Sequence, residues 1–474
     1  MLAAALVLAI VIVIAGIWMS GAGQTGNGKS GNSGISIRYT TEKGDGASEG
    51  TVDSPLSALL QVPPVIRSMQ APVVKASILF LDEAGNPATF GGKAQEPFVM
   101  SPALEPDSWL FRGALPGVPG SYHARVTTQT GEEGATPHTL DLLEPRLVVK
   151  AESGPPLTSG YVYVSDVDLW LLSTNASRER RLTFFDPRIE YADSPAWSPD
   201  GKSIVFSYWR RSNANEIATA AIWTMGPGGE GLRELIAPGP DQTLLFPTWS
   251  AEGDYIYFTV ESGTATSNAY DANQVAVGER HIEKLNVATG VRSQVVDSAQ
   301  EIAKGSPTGE LLCLGEVRVQ QPLGAFEVKQ RLVRLTSEGR PDKVVLDELK
   351  FMKIDAPHVS PNGKWVAFVA INSDSTGGDG LDFFHSLLGP RVAYAHGFPS
   401  DVYVVPSNGG AEPTRLTNLN EDDPYPVWLD DSTVAVLGAS GLYRVGVDDA
   451  GKPSGDIERI HIGVRPGKLT WHAP

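Results

Sequence analysis

An all-β fold made of repeated four-stranded units is predicted by three features of this 474-residue sequence. A tetrad close to Ser-Pro-Asp-Gly recurs about every fifty residues, which is typical of repeat architectures. Each copy follows a short apolar strand and precedes a strand with alternating apolar residues. The chain is rich in turn residues, with 50 Gly and 35 Pro. The copies lie at 194–209, 246–260, 303–314 and 356–370, with weaker ones at 424–436 and 467–471.

Each repeat can be interpreted as one β-sheet. The apolar strand ends at a Trp-type position, and the tetrad then makes a tight turn in which Pro fixes φ and Gly or Asn accepts a positive φ. A third strand follows a variable loop, for example AIWTM at 221–225, and the fourth ends in an RLT-like element such as TRLT at 414–417. Six such units predict a six-bladed β-propeller, with seven blades or an open sheet as alternatives. The Trp-type positions are Trp197, Trp249, Gly305, Val359, Trp428 and Trp471.

The sixth unit is split between the two ends of the repeat region. Only one strand of it, at 469–472, follows the fifth complete unit, while three unassigned strands precede the first unit at 160–165, 168–172 and 180–183. We therefore expect a mixed closing blade, in which the C-terminal strand pairs with the N-terminal ones and leaves no free sheet edge in the ring.

The repeat core W-S-P-D-G-K and the downstream aromatic-to-LT element resemble those of TolB-like propellers, which are built from WD40-like "PD40" repeats. The resemblance covers about 160–474 and implies protein–protein interaction at the bacterial cell envelope. TolB itself has a different N-terminal domain, so its partners are not expected here.

The rest of the chain predicts three further segments. Residues 2–19 are apolar and uncharged, so we expect a transmembrane anchor or a signal segment in 1–20. Residues 21–60 predict a flexible Gly/Ser-rich linker with one strand at 35–41. Residues 61–150 predict an Ig-like or fibronectin-III-like β-sandwich, with Tyr122 as a structural residue, and 158–474 form the propeller. The expected location is the cell membrane, single-pass with the C-terminal domains outside, or secretion after cleavage.

Composition and motifs argue against several classes of function. A net charge of −17 and a pI near 4.9 argue against nucleic-acid binding. Cys313 lies in an apolar strand and predicts a buried, inert thiol. We find no G-x-S-x-G elbow, phosphate loop or Cys/His cluster, and so expect no catalytic residue, no metal, no cofactor and no enzyme. The alternatives are a carbohydrate-binding or lyase-type propeller with a metal at the channel mouth, and a regulatory propeller for a separate hydrolase.

The loops opposite the tetrad turns predict a face that binds a protein partner. In a four-stranded blade, the second-to-third and fourth-to-first connections share one face, here called the loop face, and the long insertions fall on it. Aromatic and charged residues concentrate there. The candidate binding residues are Phe184, Phe185, Arg188, Tyr191, Trp209, Arg210, Arg211, Phe383, Phe384, His385, Asp423 and Tyr425.

Overall fold

A computed structural model shows two compact units, 1–153 and 154–474. The described residues contain strands and turns and no helix. They are 28–29, 35–41, 44–62, 73–103, 106–131, 134–152, 154–211, 218–262, 279–297, 299–305, 311–320, 326–336, 339–347, 351–372, 399–419, 421–422, 424–462 and 467–473.

The second unit is a six-bladed β-propeller, as the repeats predict. Each blade is an antiparallel sheet of four strands, and the first strand of each contacts the first strands of its neighbours around the ring. Blade 1 consists of Leu469–His472, Gly160–Ser165, Asp168–Leu172 and Glu179–Arg181; blade 2 of Glu190–Trp197, Ile204–Arg210, Thr219–Met225 and Arg233–Ile236; blade 3 of Gln242–Trp249, Tyr255–Ser262, Glu279–Asn286 and Arg292–Asp297. Blade 4 consists of Ala299–Ile302, Leu312–Gln320, Phe326–Leu335 and Pro341–Leu346; blade 5 of Phe351–Val359, Trp365–Asn372, Pro399–Pro406 and Thr414–Arg415, with Glu421–Asp422 beside its third strand; blade 6 of Tyr425–Asp430, Thr433–Gly438, Gly441–Val447 and Pro453–His461.

Blade 1 is the mixed closing blade that the split repeat predicts. Its C-terminal strand pairs antiparallel with Gly160–Ser165, so that Tyr161 lies opposite Trp471 and Tyr163 opposite Leu469. Leu469 is fully buried, and the rings of Tyr161 and Trp471 lie 4.5 Å apart. The two ends of the repeat region are therefore joined by backbone pairing and by side-chain packing.

The tetrad turns have one hydrogen-bonding pattern in blades 2 and 5. Ser198 Oγ donates to Asp200 Oδ1 at 2.7 Å and accepts from the Ser203 amide at 2.9 Å. The Gly201 amide donates to the Ser198 carbonyl at 2.9 Å, and Gly201 has φ +66°, which a glycine adopts without strain. The turn of blade 5 at 360–365 repeats these contacts with Asn in place of Asp.

The RLT-like element at the end of a blade is bound to a buried aspartate. In blade 1, Asp168 binds the guanidinium of Arg181, accepts from Thr183 Oγ1 at 2.8 Å and accepts from the Phe185 amide at 3.0 Å. The Leu169 amide in turn donates to Thr183 Oγ1. One hydrogen-bond network therefore joins the strand that begins at Asp168 to the Leu-Thr pair at the end of the blade. Blade 5 has the same network on Asp401, Arg415, Thr417 and the Leu419 amide.

The first unit is built around one ten-stranded sheet. Its ten strands run in the order Gly28–Lys29, Ser36–Thr41, Pro55–Gln61, Ser108–Ala114, Phe98–Pro102, Val73–Leu81, Gly120–Thr130, His138–Lys150 and Glu49–Thr51, with Gly44–Asp45 beside Ser36–Thr41. A separate pair is formed by Thr89–Phe90 and Lys93–Ala94. An Ig-like sandwich is not confirmed by this order. Tyr122 is buried and its hydroxyl donates to the Val118 carbonyl, which is a structural contact.

The N-terminal segments differ from their prediction or lie outside the described residues. Where a linker with one strand was predicted, the structure places five strands of the sheet, at 28–29, 36–41, 44–45, 49–51 and 55–61. On these strands Ile37, Leu56 and Leu60 are buried. Their alternating apolar residues, rather than the flanking Gly and Ser, decide the local structure. The apolar segment 2–19 is outside the described residues. Within the part of the chain that the structure describes, no helix is long and apolar enough to cross a membrane.

Candidate functional site

The inner strands of the propeller bring charged side chains to its axis. Lys304, at the end of the inner strand of blade 4, donates from Nζ to the Pro195 carbonyl of blade 2 at 2.8 Å. The same ammonium lies 5.4 Å from the ring centre of Tyr425 in blade 6. Blades 2, 4 and 6 are not neighbours, so these contacts meet at the central channel. The side chain of Lys304 therefore reaches across the channel, between inner-strand residues on its loop-face side and those near the tetrad turns.

A bulge at the same place in three inner strands shapes this channel. The strand register shifts in the segments 193–196, 245–248 and 355–358. In each, the residue before a proline has a positive φ: Ser194 (+53°), Phe246 (+50°) and Ala356 (+52°). Residues other than glycine rarely adopt this conformation, and bulges of this kind change the direction of neighbouring side chains. The three strained residues lie beside charged residues of the channel. Strained backbone of this kind often clusters at functional sites.

Three carboxylates and a second lysine lie on the loop-face side of Lys304. We call Asp193, Glu301, Asp355, Lys304 and Lys468 the channel cluster. Glu301 is buried, accepts from the Ala356 amide at 3.1 Å, and has its pKa raised to about 7 by burial and by the neighbouring Asp355. Burial likewise lowers the pKa of Lys304 to about 8. Such displaced pKa values on converging groups mark candidate functional sites.

The remaining members of the cluster are half-buried and reach solvent. Lys468 Nζ lies 3.1 Å from Ser194 Oγ, 3.6 Å from Asp193 Oδ2 and 3.9 Å from the ring centre of Phe246. Asp355 pairs with Lys353 at 3.2 Å and keeps 29 % of its side-chain area exposed, like Asp193 with 30 %. The channel cluster thus combines two accessible carboxylates and one accessible ammonium with the buried Glu301.

On the other side of Lys304, a small pocket opens at the tetrad turns. It has a volume of about 240 Å³ and is bounded by inner-strand ends of blades 1 to 5 and by the turns at 198–199 and 250–251. Residues one before the Trp-type positions form its floor, among them Thr248, Lys304 and His358. We call it the turn-face pocket.

Hydrogen bonds between blades fix the floor of this pocket. The Trp428 amide donates to His358 Nδ1 at 3.1 Å, and Trp428 Nε1 donates to the His358 carbonyl at 3.0 Å. The Val359 amide donates to the Lys304 carbonyl at 2.7 Å. Burial and the nearby Lys304 lower the pKa of His358 to about 3, so His358 is neutral at physiological pH.

Six of the twelve predicted loop-face residues are partly or fully exposed: Phe184, Arg188, Tyr191, Trp209, Arg210 and Arg211. Tyr191 and Trp209 stack with ring centres 5.3 Å apart, and Phe184 lies under the guanidinium of Arg181 at 4.7 Å. Arg188 is exposed and paired with Asp186 at 2.6 Å. Arg210 is also exposed, and Arg211 is half-buried.

Two predicted residues are not on the loop surface. Phe185 is buried between blades 1 and 2 against Phe206 and Tyr208, because it follows the LT pair into the core. Tyr425 is buried because it is the first residue of the inner strand of blade 6, inside the repeat copy at 424–436 and not in the loop before it. Phe383, Phe384, His385 and Asp423 lie outside the described residues. Among the residues that are described, no group of three His, Cys, Asp or Glu side chains is placed to hold a metal ion. Cys313 is buried, and burial raises the pKa of its thiol to about 12, as an inert cysteine requires.

Sequence reasoning missed the channel cluster, although the aligned repeats contain a signal for it. Carboxylates occur four residues before the Trp-type position in three units, as Asp193, Glu301 and Asp355. Single acidic residues in strands look unremarkable one at a time. Only superposition of the repeats shows that they share a level of the channel.

Comparisons with known proteins add the propeller fold and little beyond it. No protein-family profile and no curated protein matches this sequence. Similar solved structures include an oligogalacturonate lyase in complex with manganese (12 % identity, 62 % of this chain and 70 % of that one, TM-score 0.37). They also include a putative TolB from Agrobacterium tumefaciens (16 % identity, 56 % of this chain and 91 % of that one, TM-score 0.30). A third is a mutant puromycin hydrolase complexed with PGG (10 % identity, 93 % of this chain and 55 % of that one, TM-score 0.39). TolB-like and other β-propellers are thus among its structural neighbours.

The prediction that this chain is not an enzyme is contradicted by these neighbours, which include a lyase and a hydrolase beside the TolB protein. The prediction relied on the absence of local catalytic motifs. A propeller can gather a site from strands of several blades, so the absence of a local motif does not exclude catalysis on this fold.

The buried Glu301 makes stability depend on pH in a defined direction. Because its pKa is higher in the folded chain, the folded state favours the protonated carboxyl, and this contribution is present below pH 4.5 and is lost as the pH rises through about 7. Glu301→Gln keeps the acceptor for the Ala356 amide and removes the ionisation. We expect the difference in unfolding free energy, variant minus wild type, to be larger at pH 8 than at pH 5 by on the order of 1–3 kcal/mol, because only the wild type loses stability as Glu301 ionises.

Urea unfolding at both pH values checks this expectation. Glu234→Gln, on the exposed outer strand of blade 2, is the matched control and should show no such gain. Equal stability differences for Glu301→Gln at the two pH values would show that the carboxyl ionises freely in the folded protein.

Proposed function

We propose that this chain binds a small polar ligand in its central channel, on the loop-face side of Lys304. The observation that carries the proposal is the channel cluster, in which three carboxylates and two ammonium groups from blades 1, 2, 4 and 5 converge at the axis. Burying charged groups is unfavourable, and a hydrophobic plug of similar volume would stabilise a propeller at least as well. A binding role accounts for charges kept at this place.

The accessible groups indicate the chemistry of the ligand. Asp193 and Asp355 offer carboxylate oxygens, which accept hydrogen bonds from hydroxyl or amino groups, and Lys468 offers a donor beside the face of Phe246. A small molecule that carries hydroxyl or amino groups matches this set. Glu301, with its pKa near 7, would give such a ligand a proton donor or acceptor at neutral pH.

The test compares channel variants with a variant at the rim. Neutral sugars, polyols and primary amines are screened by thermal shift on the full chain, and the binders are titrated by calorimetry. We expect Asp193→Asn or Asp355→Asn to weaken binding by about tenfold or more, since each removes a hydrogen bond to a charged group. Asp186→Asn, at the loop face outside the channel, should leave the affinity unchanged. Binders that retain their affinity in both channel variants would refute the channel site.

A protein partner at the cell envelope, bound on the loop face, is the second candidate. It is favoured by the stacked pair of Tyr191 and Trp209 beside the exposed Arg210, because aromatic and arginine side chains dominate the binding energy of protein interfaces. Arg188→Ala and Arg210→Ala discriminate between the two candidates. Both substitutions should weaken the binding of a partner at the loop face and leave the affinity for a channel ligand unchanged.

A further inference from the structure

The turn-face pocket differs from the channel cluster in its charge. None of the residues that line the pocket is Asp or Glu, whereas the chain as a whole has a net charge of −17 and the channel cluster contains three acids. Lys304 lies at the inner end of the pocket and is 7 % exposed. Lys304 thus brings an ammonium to a pocket that has no acid in its lining, and an ammonium in such a place favours an anion.

The floor of the pocket is rich in hydrogen-bond donors. An ammonium group has three donor hydrogens, and within the described part of the chain Lys304 gives one of them to the Pro195 carbonyl. His358 accepts the Trp428 amide at Nδ1, so the neutral ring carries its hydrogen on Nε2. Thr248 adds a hydroxyl group. These groups require acceptors, and a carboxylate supplies two oxygens with about four acceptor positions.

The walls of the pocket are aromatic. Trp197, Trp249 and Trp471 line it, together with His472, whose ring centre lies 5.5 Å from that of Trp197. The indole nitrogens of Trp197 and Trp249 are buried and have no hydrogen-bond partner among the described residues. At the corresponding position of blade 6, Trp428 does have a carbonyl acceptor. Aromatic walls above a donor-rich floor suit an anion with a flat apolar body.

We propose that the turn-face pocket binds a small carboxylate with an aromatic body, whose carboxylate is held by Lys304, His358 and Thr248 and whose ring lies between the tryptophans. A volume of about 240 Å³ is smaller than the ~300–1,000 Å³ of pockets for drug-sized molecules, so the ligand is a small one. This site is separate from the channel ligand, because Lys304 stands between them. The two proposals can therefore fail independently.

Phenylacetate and its uncharged analogue phenylacetamide are the probes. Both are titrated into the full chain at about pH 6.5, where Lys304, with its pKa of about 8, carries its charge. We expect phenylacetate to bind and to change the tryptophan fluorescence, and phenylacetamide to bind at least about tenfold more weakly. Lys304→Met should reduce phenylacetate binding to the level of the amide. Lys202→Met, at the exposed tip of the same turn face, is the matched control and should bind as the wild type does.

A second variant keeps the test decisive if Lys304→Met folds poorly. Ala251→Trp places a large side chain at the half-buried rim of the pocket, in a turn, and should block phenylacetate without disturbing the inner strands. Asp186→Asn, at the loop face outside the channel, should bind phenylacetate as the wild type does. Equal binding of acid and amide, no binding by the wild type, or full binding by Ala251→Trp would each overturn the proposal.

Discussion

Removal of residues 467–474 is expected to open the propeller ring and to destabilise the second unit by more than about 4 kcal/mol, or to make the protein aggregate. The deletion removes the inner strand of blade 1, and with it the fully buried Leu469 and the ring contact between Trp471 and Tyr161. It also exposes the edge of Gly160–Ser165, whose backbone groups pair with this strand in the intact chain. An unpaired apolar edge is a template for pairing with another chain.

Urea unfolding and size-exclusion chromatography of the shortened chain measure this effect. The control removes only residues 473–474, which lie beyond the paired strand, and should unfold like the full chain. A synthetic peptide of residues 467–474, added to the shortened chain, should restore part of the lost stability by filling the vacant edge. If the shortened chain is monomeric and unfolds at the same urea concentration as the control, strand closure does not hold the ring.

The repeat pattern in the sequence was sufficient for the propeller because each blade depends on local signals. The turn at 198–203 forms from Ser, Asp and Gly within six residues, and the alternating strand after it has its own period. Even the copy with Gly305 at the Trp-type position is recognisable from the spacing of its neighbours. Closure followed from the count of strands, since blade 1 needs one strand from the C-terminal end of the repeat region and three from its N-terminal end.

The functional site could not be read in the same way, because it is formed by single residues from different blades. Lys304 meets the Pro195 carbonyl 109 positions earlier in the chain, and no local pattern encodes that distance. The loop-face prediction followed residue type, and it placed Phe185 and Tyr425 on a surface although both are buried. In the first unit, Gly and Ser gave 21–60 the composition of a linker, while pairing between strands determines the structure of the described residues within it.

The second large effect is expected from Asp168→Ala in blade 1. Asp168 and Arg181 keep only 4 % and 9 % of their side-chain area exposed, so the substitution leaves a buried guanidinium without its counter-charge. It also removes the acceptor for Thr183 Oγ1 and for the Phe185 amide. Breaking one partner of a buried ion pair costs about 3–5 kcal/mol, and we expect a loss of this size in urea unfolding followed by tryptophan fluorescence.

Asp401→Ala in blade 5 is the matched control, because the same network is more open to solvent there. Arg415 keeps 41 % of its side-chain area exposed, and it also donates to Asn418 Oδ1 at 2.7 Å. Water can hydrate this guanidinium once the acid is gone, so we expect a smaller loss of about 1–2 kcal/mol. The difference between the two substitutions isolates the effect of burial, since the chemistry of the two networks is the same. Losses of equal size at Asp168 and Asp401 would show that the hydrogen bonds of the acid, and not the burial of its arginine, determine the stability of the blade.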